Sequence, residues 1–161
     1  MNKINTMTKS ILLATMVCTL STVATAEEVM NTRFGVVSVS DETGEPVLWV
    51  NGEKWRKPPQ HSLLVLERQW TWGDKDVVLI QGVDGNACPA QYYFLAIGQN
   101  FAKLSPAFGT CSDVIEVKQN AEYISVTMPK FGEMTTPNKR QARTIYRYNI
   151  HALTENGKAI Y

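Results

Sequence analysis

Cysteine and histidine are the residues of this chain with the widest chemical use. Cys88 lies in GNACPAQYYF, between a turn and an aromatic segment, and Cys111 lies in FGTCSD. Two such cysteines could hold a metal ion, provide a catalytic thiol with a helper, or form a disulfide. A zinc site needs more ligands at close spacing, whereas His61 and His151, the only histidines, stand in unrelated contexts. The compartment decides among these three chemistries.

The first 26 residues predict export. MNKINTMTKS carries two lysines and no acidic residue, and the apolar run ILLATMVCTLSTVA follows it. The sequence ATA at 24–26 fits the small-x-small pattern of a signal-peptidase site. The apolar run is shorter than the roughly 20 residues of a membrane-spanning helix, and threonines and a serine interrupt it. We therefore predict a signal peptide over 1–26, cleaved after Ala26, and a periplasmic or secreted mature chain over 27–161 without a membrane span.

Export favours the disulfide. Cys18 would leave with the signal peptide, and Val17 stands before it, where a lipoprotein signal needs a small residue. Paired thiols persist as disulfides in an oxidising compartment. A catalytic cysteine would need a base, and it would have to survive oxidation by the second cysteine. We predict a disulfide between Cys88 and Cys111 and no metal site.

The two cysteine segments also carry a resemblance. ACPAQYYF followed by FGTCSD resembles a pattern found in small exported bacterial proteins of the periplasm. The resemblance implies export, one domain and a disulfide of the same kind. It implies no activity, so no functional residue is transferred from it.

Short β-strands are the elements predicted to position these residues. SLLVLERQWTW at 62–72 and RTIYRYNIHAL at 143–153 alternate apolar and polar residues, which is typical of half-buried strands. DVVLIQGV at 76–83 is a continuous apolar run between turn residues and predicts a central strand. AQYYFLAI at 90–97 predicts a strand that crosses the core. No window of eleven residues keeps one apolar helical face.

Turn residues separate these runs. Asn51-Gly52 predicts a two-residue type I′ hairpin, Gln119-Asn120 a second hairpin, and Asn156-Gly157 a turn near the end of the chain. The polar, basic segment Lys130–Arg143 predicts a long surface loop. The fold class is therefore mainly β: a single antiparallel β domain (meander, barrel or sandwich) with one disulfide and little helix.

The charge balance argues against nucleic acid as a partner. The chain has 16 basic and 15 acidic side chains, a formal net charge of +1. Loss of Lys3 and Lys9 with the signal peptide would change the net charge to −1. Nucleic-acid-binding domains usually have a marked basic excess. The chain has no glycine-rich phosphate loop and no EF-hand spacing, so we predict no cofactor.

Residues suited to catalysis do not form a recognisable set. Neither histidine lies near a glycine-flanked serine of the G-x-S-x-G type. A glycosidase needs two carboxylates across a cleft, and Asp74, Asp76, Asp84 and Asp113 are available. Aspartate is also a common turn residue, which explains these positions without catalysis. We predict no catalytic residue.

The tryptophans provide the strongest binding candidate. Trp49 and one of Trp70 and Trp72 are expected in the core of a small β domain. Trp55, in GEKWRKPPQH, fits either the core or an exposed anchor on a loop stiffened by Pro58-Pro59. Tryptophan and arginine are enriched at interface hot spots, and a stiff loop loses little entropy on binding. The predicted binding residues are Lys54, Trp55, Arg56, Lys57 and His61.

These observations favour a binding protein over an enzyme. The expectation is a periplasmic, non-catalytic module that binds another protein, with an acidic partner favoured by the basic loop. An immunity or inhibitor protein that blocks a toxin or a cell-wall-acting enzyme fits this description. Two alternatives stay open: a small periplasmic hydrolase acting on cell-wall or carbohydrate material, and an accessory subunit of an envelope assembly.

Overall fold

A computed structural model describes residues 27–42, 44–57, 59–130 and 142–161, which form thirteen β-strands and no helix. The predicted signal peptide and positions 131–141 of the predicted surface loop lie outside the described residues. Within the described part, no helix is long and apolar enough to cross a membrane. The strands are β1 (Glu28–Thr32), β2 (Gly35–Glu42), β3 (Glu45–Val50), β4 (Glu53–Lys54), β5 (Leu63–Trp72), β6 (Lys75–Asp84), β7 (Cys88–Gly98), β8 (Phe101–Leu104), β9 (Glu116–Gln119), β10 (Ile124–Pro129), β11 (Arg143–Asn149), β12 (Ala152–Glu155) and β13 (Lys158–Ile160).

The strands form three antiparallel sheets, each a meander of consecutive strands. Sheet A has the order β1-β2-β3-β4, sheet B the order β5-β6-β7-β8, and sheet C the order β13-β12-β11-β10-β9. Strands that follow one another along the chain are therefore neighbours in space, as short connections favour. The predicted antiparallel β fold is confirmed, and it takes the form of a layered sandwich.

Sheet B is the middle layer, with an apolar core on each face. In β6, Val77 and Leu79 contribute to the cluster shared with sheet C, whereas Val78 and Ile80 contribute to the cluster shared with sheet A. Successive side chains of a strand point to opposite faces, so a strand buried on both faces needs an apolar residue at every position. The unbroken apolar run of β6 is explained in this way. β7 repeats the pattern, with Tyr92, Phe94 and Ala96 toward sheet C and Tyr93, Leu95 and Ile97 toward sheet A.

A β-bulge in β5 reverses which face its side chains occupy. The register against β6 shifts between Leu66 and Arg68. Before the shift, Leu64 and Leu66 belong to the cluster with sheet A; after it, Trp70 and Trp72 pack on the cluster with sheet C. One extra residue in a strand moves all later side chains to the other face. The two tryptophans share this face, and both are half-buried against the core, where one of them was expected.

Trp49 is a correction to the predicted core. It lies in β3 between Leu48 and Val50, which both point into the cluster with sheet B. The indole therefore lies on the outer face of sheet A, half-buried, and its Nε1–H donates to Ser40 Oγ at 2.9 Å. Alternation along β3 assigns Trp49 the opposite side from its apolar neighbours.

The two predicted Asn-Gly turns are confirmed, and β9 and β10 form the hairpin predicted near Gln119-Asn120, with Gln119 paired to Ile124 and the turn over 120–123. Asn51 and Gly52, which join β3 to β4, have φ values of 55° and 76°. Asn156 and Gly157, which join β12 to β13, have φ values of 48° and 84°. Positive φ at both central residues is the requirement of a type I′ turn.

The disulfide between Cys88 and Cys111 is confirmed, with 4.5 Å between the Cα atoms. Cys88 begins β7, and Cys111 belongs to the connection between sheets B and C. That connection also bonds to β7, because the backbone groups of Phe108 and Tyr92 exchange two hydrogen bonds of 2.8 and 2.9 Å. Gly109 follows at φ 137°, a conformation that glycine adopts without steric cost. The bridge therefore anchors the connection to the middle layer.

Two buried tyrosines allow a test of the core between sheets B and C. The Tyr148 ring stacks on Phe94 with 4.5 Å between ring centroids, and its hydroxyl has no hydrogen-bond partner in the described structure. The Tyr92 hydroxyl donates to the Ser112 carbonyl and accepts from Gln81 Nε2, both at 3.4 Å. An unpaired buried hydroxyl contributes a desolvation cost without a compensating bond.

We expect Tyr148→Phe to leave the free energy of unfolding unchanged or to raise it by up to about 1 kcal/mol. Tyr92→Phe, the matched control, should lower it by about 1 kcal/mol because two bonds are lost. Urea unfolding of both variants measures the difference. Equal losses in the two variants would show that Tyr148 has a partner in solution.

Candidate functional site

A cleft of about 890 Å³ opens between sheets A and B. It lies where the turn between β1 and β2, the hairpin of β3 and β4, and the turn between β7 and β8 come together. Its apolar lining comes from both sheets: Phe34, Val50, Trp55, Ile97, Phe101 and Ala102. This volume lies within the range of ordinary ligand clefts.

The cleft exists because the two sheets close on one side only. On the closed side β1 contacts β5, and the Leu66 amide donates to the Glu28 carboxylate at 3.0 Å. On the other side the edge strands are short: β4 has two residues and β8 has four. Both short strands contribute residues to the cleft. The gap between the layers therefore lies beside the short edge strands β4 and β8.

Trp55 forms a wall of the cleft. Its backbone N–H donates to the Leu48 carbonyl at 2.9 Å, which continues the pairing of β3 and β4 by one residue. The side chain is half-buried and packs on the apolar cluster between sheets A and B. Trp55 thus combines the two alternatives that the sequence left open, since it touches the core and also borders the cleft.

Positive charge surrounds the cleft opening. Arg33, Lys54, Arg56 and Lys57 line it, and Glu53 is the single acidic residue among the described lining residues. Lys54 is paired with Glu42 at 3.0 Å in an exposed position, where such pairs contribute little. Arg56 and Lys57 are exposed and have no ion pair in the described part of the chain. The cleft therefore presents an apolar interior with a cationic rim.

Arg33 holds one side of the cleft in place through a buried carboxylate. Asp76 is fully buried at the start of β6. It accepts from the Arg33 backbone N–H at 2.7 Å, from Arg33 Nε at 2.8 Å, and from Gln69 Nε2 at 3.3 Å. The guanidinium also donates to the carbonyls of Gly73 and Lys75. The turn between β1 and β2 is thereby fixed to the middle sheet.

His61, the remaining predicted binding residue, lies outside the cleft lining. Its Nδ1 is 2.6 Å from Asp84 Oδ2, and its Nε2 is 2.6 Å from the Tyr93 hydroxyl. Burial and then the nearby Asp84 charge raise the pKa of Tyr93. The phenol therefore stays protonated and can donate to Nε2 in the tautomer whose Nδ1–H donates to Asp84. An aspartate, histidine and tyrosine in series resemble an activated nucleophile, whereas a raised pKa opposes activation. Their two hydrogen bonds form a bracket that holds the segment before β5 against β6 and β7.

The cleft also contains residues that the sequence did not single out. Arg33 and Phe34 belong to the turn between β1 and β2, which is distant in sequence from Trp55. The segment 97–102 belongs to β7, β8 and the turn between them. The segment between β7 and Cys111 contains strand β8, which the sequence patterns did not indicate. Gln99-Asn100 forms a two-residue turn with Asn100 at φ 56°, and asparagine at such a turn was the available signal.

The described residues contain no group of three or more histidine, cysteine, aspartate or glutamate side chains that could hold a metal ion. His151 is exposed in the turn after β11, where its backbone N–H donates to Asn149 Oδ1 at 3.1 Å. No protein-family model matches the chain, and no curated protein or solved structure is similar to it beyond chance. The cleft itself is therefore the basis for assigning a function.

The Arg33–Asp76 contact predicts that losing the arginine alone lowers stability more than losing both charges. Arg33→Ala leaves a fully buried carboxylate with fewer donors, and we expect it to lower the free energy of unfolding by about 2–3 kcal/mol. The double variant Arg33→Ala/Asp76→Asn should be more stable than Arg33→Ala alone, because the buried charge is gone. Chemical denaturation of the three proteins measures this. A double variant with a lower free energy of unfolding than Arg33→Ala would disprove this prediction.

The close contact of Gly82 with the His61 ring predicts that substitutions at these two positions are energetically coupled. A Cβ atom at this position would overlap the His61 ring, so Gly82→Ala should displace the ring, break both of its hydrogen bonds and cost about 2–3 kcal/mol. In a His61→Ala background the same change should cost less than about 1 kcal/mol, since the overlap no longer exists. A thermodynamic double-mutant cycle of Gly82→Ala and His61→Ala measures this coupling energy. Additive losses would mean that Gly82 is needed for another reason.

Proposed function

We propose that this protein is a non-catalytic binding module of the periplasm that captures another protein in the cleft between sheets A and B. The apolar cleft with a cationic rim carries this proposal. An immunity or inhibitor protein, which blocks a toxin or a cell-wall-acting enzyme by stoichiometric binding, is the role that this site fits best.

The composition of the cleft supports a protein partner. Trp55 and Arg56 are neighbours at the opening, and tryptophan and arginine are the residues most enriched at binding hot spots. The exposed charges of Arg56 and Lys57 would attract an acidic surface and raise the association rate at low salt. Apolar contact in the interior would then supply much of the affinity.

The surroundings of the aspartates favour binding over hydrolysis. Asp76 is held by Arg33, and Asp84 is held by His61. Asp74 lies in an exposed turn next to Lys75, whose ammonium group lowers the pKa of that carboxyl through a hydrogen bond and its charge. A general acid needs the opposite shift, a raised pKa. None of these three carboxylates lines the cleft.

Site-specific cross-linking tests the proposal. A photoreactive residue at position 57 should capture a protein from envelope extract in a one-to-one complex. The same residue at position 158, where Lys158 is exposed on sheet C, should not. Equal capture at both positions, or none at position 57, would contradict a cleft that binds protein.

The captured partner then permits a quantitative prediction. Trp55→Ala should weaken its affinity by about 30-fold, which corresponds to about 2 kcal/mol. Lys57→Glu should slow association in a salt-dependent manner, whereas Lys158→Glu should not. Calorimetry and stopped-flow kinetics measure the two effects, and Trp55→Phe controls for the packing of the side chain on the core. Unchanged affinity in Trp55→Ala would place the contact surface elsewhere.

A further inference from the structure

We infer that the partner enters the cleft as an extended acidic segment that pairs with the free edge of β8 and extends sheet B by one strand. This inference rests on the proposed function and specifies its mode of recognition. The segment carries aspartate or glutamate next to apolar residues.

The edge of β8 has unused backbone groups. Among the strands that the structure describes, β8 is the last of sheet B and pairs only with β7. Phe101 is opposite Gly98 across the two-residue turn, and the Ser105 amide donates to the Phe94 carbonyl at 2.9 Å. Hydrogen-bonded pairs alternate with non-bonded pairs along an antiparallel ladder. Ala102 and Leu104 therefore point their N–H and C=O groups away from β7.

These outward groups meet no backbone partner in the described residues. The hydrogen bonds outside the sheet ladders include none to Ala102 or Leu104. Ala102 and Lys103 are exposed, in agreement with an open edge. A peptide that adds a strand to such an edge gains main-chain hydrogen bonds that do not depend on its side chains.

The cleft would supply the side-chain selectivity. Ala102 lines the cleft, and Leu104 packs on the cluster between sheets A and B, so both side chains face sheet A. Alternate side chains of an added strand would face the same way, toward sheet A and Trp55, which lines the same cleft. The small Ala102 side chain leaves space beside it for these residues. Apolar side chains at alternate positions of the segment fit this wall.

The positive charges around the cleft determine which side chains suit the other positions of the partner segment. Arg56 and Lys57 lie at the rim of the cleft, and Lys103 is exposed on β8 itself. An added strand would run between these cations, so carboxylates would be favoured and lysines repelled. β4, the other strand that borders the cleft, has two residues and is too short to direct a peptide. β8 is therefore the edge that the occupant uses.

A random heptapeptide library displayed on phage is the probe. Selection on the folded protein should enrich peptides that alternate acidic and apolar residues and lack proline at their centre. On binding of a synthetic peptide from this set, hydrogen exchange at the amides of Ala102 and Leu104 should slow by at least about tenfold. The amides of Phe101 and Lys103, which already face β7, should change much less.

Two changes that each remove a backbone N–H donor without altering charge complete the test: one in the protein and one in the peptide. Ala102→Pro deletes an outward N–H, which an edge strand tolerates, and should weaken binding by about tenfold, the effect of one main-chain bond. Ala102→Ser keeps the N–H and should bind nearly as well as the wild type. N-methylation of alternate peptide amides should produce the same loss, and it leaves the protein itself unchanged.

The outcomes separate this inference from the proposed function. Enriched peptides that are basic, or no enrichment at all, would overturn strand addition. Acidic peptides that lose binding in Lys57→Glu but are insensitive to Ala102→Pro and to N-methylation would also overturn it, while supporting the cleft as the site. Failure of cross-linking at position 57 would instead contradict the proposed function.

Discussion

The fold depends on a middle sheet that has no solvated face. The central segments of β6 and β7, 77–80 and 92–97, are apolar and buried at every position, so water must be excluded from both sides of sheet B there. Neither sheet A nor sheet C alone can do this, because each covers one face only. Burial of large apolar side chains is the main stabilising contribution in a domain of this size. The two outer sheets are the covers that this requirement imposes.

The covers differ in how they meet the middle layer. Sheet C is joined to it by a stacked aromatic core around Phe94 and by the Cys88–Cys111 bridge. Sheet A is joined by apolar contacts and by the contact of Arg33 with Asp76, near one end of β6. Near the other end, the bracket around His61 holds the segment before β5. Polar groups satisfied in this way fix a position more than they add stability. The cleft opens beside one of these fixed points.

The sequence indicates individual strands better than their arrangement. β6, β7 and the Asn-Gly hairpins follow from apolar runs and turn residues, and the disulfide follows from the predicted compartment. The layering was not predictable, because an apolar run in β6 does not say which residues cover each face. Nothing in the residues around Glu67 predicted the bulge that moves Trp70 and Trp72 to the other core. Lys54 to Lys57 were found as one local segment, whereas Arg33 and β8 join them only through tertiary contacts.

The arrangement of the sheets as successive meanders sets an order of events during folding. Sheets A and B consist only of strands up to Leu104 that pair with their neighbours along the chain, so they can form before the strands of sheet C are in place. The strands that cover the aromatic face of sheet B come later, from β9 onward. Until then Phe94 and its neighbours form an exposed apolar surface on an incomplete protein. Such intermediates are prone to aggregation, so the docking of sheet C protects the chain against self-association as well as completing its core.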